Sequence, residues 1–82
     1  MGSSIPWKQF QAYFTRYGVT FHAPKGGSHW KMFRMMGGRH RIYVIPLEHG
    51  KLVRDVYLKK ARKALGLTEQ HGVSDAEFFD GM

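Results

Sequence analysis

Two adjacent glycines, Gly37 and Gly38, constrain this chain's fold more than any other feature. Before them runs Ser28 to Met36, long enough for a strand. After them Arg39 to Pro46 alternates basic with apolar or aromatic side chains and then becomes Ile42-Tyr43-Val44-Ile45. Strand-forming residues bounded by a two-residue glycine turn read as an antiparallel hairpin, because glycine adopts the positive φ that such turns demand. Pro46 ends the second strand, since proline donates nothing to a ladder. A third, shorter strand is read in Val19-Thr20-Phe21-His22, broken by Pro24-Lys25-Gly26-Gly27. The inward side of the middle strand is not set by its pattern. His29, Lys31 and Phe33 alternate with Ser28, Trp30, Met32 and Arg34, and both sets are mixed. A bulge would account for that.

Helices flank the strands. Phe10, Tyr13, Phe14 and Tyr17 recur at the spacing of one helical face, with Pro6 suited to the first turn and Gly18 to the end. The spacing predicts a helix over roughly residues 6–17. Val53, Val56, Tyr57, Ala61 and Ala64 form a second stripe, with Leu65 beside it. Arg54, Lys59, Arg62 and Lys63 fall mostly on the opposite side, and Gly66 followed by Leu67 closes the helix. The expected fold is α+β, in the order helix, three antiparallel strands, helix. Both helices cover one face of the sheet and leave the other open. With 82 residues there is room for a single domain. The boundaries read as a folded unit over residues 1–68 and an acidic C-terminal extension over 69–82.

Charge divides the chain at the same place. All thirteen Lys and Arg lie from Lys8 to Lys63, against only Glu48 and Asp55, a balance of +11 through Thr68. Glu69, Asp75, Glu77 and Asp80 then give the extension −4, for the total of +7. A polyanion is the natural partner of such a body, because Lys and Arg release condensed counterions from phosphates. The plainer alternative is a solvated basic surface. The extension either stays flexible or folds back on the body, where it would partly shield an anion site. The chain has no cysteine, which excludes disulfides, thiolate-held zinc and thiol nucleophiles. No apolar run approaches a membrane span and no leader pattern opens the sequence, so a soluble, cytoplasmic domain is expected.

Chemistry falls to histidine. With two acids in the basic body, the clustered carboxylates of a two-metal nuclease are not to be had, and no cofactor-binding motif is present. Imidazole titrates near neutrality and can exchange a proton at a ribose-phosphate centre. Of five histidines, His29 stands out: it follows Gly26-Gly27-Ser28 at the head of a strand, with Lys25, Lys31 and Arg34 close in sequence. Taken alone, it is as readily a half-exposed strand histidine without a role. His40, between Arg39 and Arg41, can touch a phosphate or be a plain hairpin residue; His49 sits in the loop after Pro46; nothing around His22 or His71 argues for either. Trp30, Phe33 and Tyr43 are core aromatics or stacking platforms for unpaired bases.

The pieces in this order resemble the HicA-type toxins of toxin–antitoxin pairs. The resemblance covers about Trp7 to Thr68. It rests on Lys25-Gly26-Gly27-Ser28-His29, Gly37-Gly38-Arg39, Val44-Ile45-Pro46 with His49 following, and Tyr57-Leu58-Lys59-Lys60-Ala61 ending in Leu65-Gly66-Leu67. It implies a fold like the double-stranded RNA-binding domain and an endoribonuclease that cuts mRNA and blocks translation. It also implies a HicB-type antitoxin as partner, with DNA engaged only indirectly through that complex. The catalytic histidine then maps onto His29. Lys25, Gly27, Ser28, Lys31, Arg34, Arg39 and Arg41 become the candidate RNA contacts. His49 lies three residues past Pro46, where many members have two, and Asp55-Val56 replaces a glycine-containing pair before the last helix. The rival class is a non-catalytic module of the same fold that grips RNA through shape and phosphates.

Overall fold

The computed structural model describes residues 4–26, 29–46 and 52–79. The elements run β1 (Ser4–Pro6), α1 (Trp7–Thr15), β2 (Thr20–His22), β3 (His29–Met36), β4 (Arg39–Pro46), β5 (Leu52–Arg54), α2 (Asp55–Ala64), a 3-10 turn (Glu69–His71) and α3 (Asp75–Phe79). β2, β3 and β4 form an antiparallel sheet in that order, with β3 in the middle. The protein is thus mixed α+β, a three-stranded antiparallel sheet with helices.

The hairpin forms as the two glycines require. Gly37 and Gly38 take φ of 59° and 78°, and Met36 pairs with Arg39 directly across the turn. Positive φ at both central positions is the two-residue turn whose twist matches the flanking strands. From there the register carries unbroken to His29 opposite Pro46, with no bulge in β3.

That register settles which side of β3 faces inward. Met32 and Ile45 are fully buried against Phe10 and Phe14 of α1 and Leu58 and Ala61 of α2, so both helices cover one face. Trp30 and Tyr43 lie half-buried on the same side as Met32 and Ile45, and Phe21 joins them from β2. Trp7 packs at 5.2 Å from Trp30 and 5.5 Å from Phe21, which ties the start of α1 to the sheet. His29, Lys31, Phe33, His22, His40, Ile42 and Val44 occupy the other side.

Three features depart from the sequence reading. β1 and β5 pair as a separate two-stranded ribbon, Ser4 opposite Arg54 and Pro6 opposite Leu52. Val53 belongs to that ribbon, not to the second helix. The buried arc of α2 is also rotated: Leu58, Ala61 and Arg62 are buried while Val56 is exposed.

The rotation follows from what the C-terminal segment does. Residues 69–79 fold back onto the helices, and Phe78 is fully buried within 5.1 Å of Phe14 and 5.6 Å of Tyr13, measured between rings. α2 therefore has a second packing partner and buries a wider arc. Arg62 lies in that joint. Its Nε donates to Leu67 O at 2.9 Å, Nη2 to Val73 O at 3.2 Å and Nη1 to Asp75 Oδ1 at 2.7 Å, with the guanidinium 4.5 Å from the Phe78 ring. A buried cation with its donors occupied avoids the penalty of an unpaired one.

Candidate functional site: a groove on the open face of the sheet

β2, β3 and β4 each send alternate side chains to the uncovered face, because strand periodicity is two. Those side chains and the turn after β2 enclose a groove of about 860 Å³, lined by Thr20, His22, Ala23, Pro24, Lys25, Gly26, His29, Lys31, Phe33, His40 and Ile42. The volume is within the roughly 300–1,000 Å³ of small-ligand sites. Three imidazoles and two ammonium groups converge on it.

The register gives the relative positions. His22 pairs with Lys31, so its diagonal neighbours on β3 are His29 and Phe33. Diagonal neighbours stand about 7–8 Å apart, close enough for two side chains to reach one small group between them. His40 pairs with Met35 and is diagonal to Phe33 from the opposite edge. The His22 and Phe33 rings are 4.8 Å apart at 83°, and the Phe33 and His40 rings 6.5 Å apart at 86°. The His22 ring is also 3.4 Å from Thr20 Oγ1. Among the described residues no three His, Asp or Glu side chains gather closely enough to hold a metal ion.

The residues expected from the sequence divide between the two faces. His29, Lys25 and Lys31 line the groove. Gly27 and Ser28 lie outside the described residues, as does His49. Arg34 points the other way. Its Nε donates to Tyr17 O at 3.2 Å and its Nη1 to Leu65 O at 2.9 Å, so one guanidinium holds the carbonyl ends of both α1 and α2. Those carbonyls have no partner within their helices and carry the negative end of the dipole, which a cation satisfies. Arg41, on the same side, reaches Ala64 O at 3.5 Å. Arg39 pairs with Met36 at the hairpin tip, exposed and away from the groove lining.

The sequence does not single out His22, and it favours a plain hairpin residue at His40; the structure places both along the groove. Nothing adjacent to His22 in the chain marks it; only the β2–β3 pairing carries it to the groove. Of the candidate stacking aromatics, Phe33 alone lies on the open face. Trp30 and Tyr43 pack against the core, and burial, with Tyr57 adding to it, raises the Tyr43 phenol above its ordinary pKa.

None of residues 69–79 lines the groove. The acidic segment is engaged on the helical side instead: Tyr17 donates from its hydroxyl to Glu77 Oε2 at 3.1 Å, and Arg16 Nη1 donates to Phe78 O at 3.2 Å. No family model matches the chain, and no curated protein or solved structure matches it either. No helix among the described residues is long and apolar enough to cross a membrane.

Proposed function

We propose that the protein is an endoribonuclease that works by acid–base catalysis in the open-face groove, with His29 as a catalytic residue. One observation carries the reading: His29, a second imidazole on its diagonal, and Lys25 and Lys31 all line a single recess. The 2′-OH of the substrate is the nucleophile. One imidazole removes its proton as the oxygen attacks phosphorus; the other protonates the departing 5′-oxygen, leaving a 2′,3′-cyclic phosphate. His22 is the second imidazole in this scheme, being nearer to His29 by register than His40 is. Lys25 and Lys31 hold the phosphate and offset the charge that develops on it. The need for a 2′-OH restricts cleavage to RNA.

The resemblance to HicA-type toxins supports the biological setting: a cytoplasmic toxin that cuts mRNA and arrests translation, on a scaffold like the double-stranded RNA-binding domain. In that setting a HicB-type antitoxin covers the groove. The test is cleavage of a mixed-sequence RNA, with chelator present, by wild type beside His29→Ala and His22→Ala. Wild type is expected to leave 2′,3′-cyclic phosphate ends, to spare an all-deoxy strand and to show a bell-shaped pH–rate profile. General acid or base catalysis contributes about 10²- to 10⁴-fold, so each alanine variant should lose at least a hundredfold. Undiminished cleavage by His29→Ala would overturn the assignment. RNA binding without any cleavage by wild type would make the protein a binding module.

A further inference from the structure

Phe33 occupies the centre of the open face, on the central strand, with Thr20 and Ile42 directly beside it in register. The ring is half-exposed there, although the same strand buries Met32 fully and Trp30 partly on the other face. Its surroundings are specific. His22 and His40 stand at opposite diagonal corners with their rings nearly perpendicular to that of Phe33, at 83° and 86°. Ile42, 52% exposed, extends the apolar floor on one side. Lys31 lies two residues along β3, a distance of about 7 Å. The groove thus has an apolar, aromatic floor, imidazole corners that can donate or accept hydrogen bonds, and cations along one end.

We infer that this floor is a slot for an unpaired nucleobase stacked on Phe33, so that the groove takes single-stranded and not duplex RNA. The inference rests on the reading of the groove as an RNA site and names the substrate class for it. A base has a π-face for the phenyl ring, polar edges for the imidazoles and a phosphate for Lys31, which matches the three chemistries of the recess. Duplex RNA offers none of its π-faces, and its deep, narrow major groove keeps side chains from the bases. A recessed floor between two histidines meets a base only when that base is splayed out of a helix. Stacking in the slot would also fix the adjoining phosphate toward Lys31 and His29.

Binding to a non-cleavable probe separates this slot from catalysis. The probe is a fluorescein-labelled 2′-O-methyl strand of about ten nucleotides, within the usual site size of single-strand binders. It is compared with its duplex and with an abasic strand that keeps every phosphate. Wild type is expected to bind the intact single strand at least tenfold more tightly than either competitor. Base–aromatic stacking is worth about 1–3 kcal/mol, so Phe33→Leu should lose roughly 5- to 150-fold for the intact strand and little for the abasic one. Phe33→Trp should retain the preference. Equal affinity for intact and abasic strands, or an unchanged preference in a folded Phe33→Leu protein, overturns the slot. Tighter binding of the duplex overturns it too, and assigns the groove to helical RNA. A wild type that shows the preference but never cleaves RNA leaves the slot standing and sinks the nuclease reading. One that cleaves RNA but ignores the bases does the reverse.

Discussion

Two cations three residues apart on one strand do different work. Lys31 opens into the groove; Arg34 turns inward and holds the carbonyl ends of both long helices. Hydrogen bonds to a charged group contribute about 1.5–3 kcal/mol, so Arg34→Met should cost about 2 kcal/mol in urea unfolding. It should leave the salt dependence of RNA affinity unaltered. Lys31→Met should do the opposite, with stability nearly unchanged and the slope of log K against log salt flattened by about 0.7. The two outcomes together discriminate a structural cation from a phosphate-binding one. In the sequence the pair is indistinguishable, because both are basic residues on a strand whose two faces are equally mixed. Parity separates them, and parity came only with the register of β3 against β4.

At the scale of elements, the joint between α2 and the C-terminal segment carries the most weight. Phe78→Ala removes a fully buried ring and should destabilise the protein by about 3–5 kcal/mol. Asp75→Ala takes one of three acceptors from the buried Arg62 but leaves those of Leu67 and Val73, and should cost less, about 1–3 kcal/mol. Thermal unfolding of the two variants side by side checks the contrast. The long hairpin, α1 and the glycine that ends α2 were legible in the sequence, because each has a strong local signature. The ribbon was not: Ser4–Pro6 and Leu52–Arg54 carry no run of β-branched and aromatic residues like the one that marked β2. Nor was the inward turn of Arg62, since a charge on a helix ordinarily marks the wet side. Its burial depends on three acceptors contributed by residues 67–75, which no pattern within α2 reveals. Of the groove, His29, Lys25 and Lys31 were visible through their neighbours in the chain. His22 was not, because only strand pairing brings it there.

For the whole molecule, two phenols tie part of the stability to alkaline pH. Burial first, then the hydrogen bond to Glu77, raises the Tyr17 phenol above the ordinary value of about 10; burial raises Tyr43 in the same direction. A phenol that binds its proton more tightly when folded adds stability that is complete below about pH 10. That contribution is lost as pH climbs through the higher folded-state values. Tyr17→Phe should flatten the decline above pH 10 in urea midpoints measured across that range, and an unaltered slope would show that Tyr17 does not contribute.

The β1–β5 ribbon has a consequence for how the chain assembles. Its three residue pairs join Ser4–Pro6 to Leu52–Arg54, so nearly the whole of α1 and the sheet lies inside the loop it closes. The entropy lost on closing a loop grows with the logarithm of its length, and three pairs cannot offset that loss in an open chain. Once the hairpin has formed and α1 has docked on it, most of the intervening residues are already fixed and the effective loop is short. The ribbon is therefore a latch on a nearly finished fold. Ile5 and Val53, paired at its centre, carry the ribbon into the core, so fastening the latch and completing the core are one event.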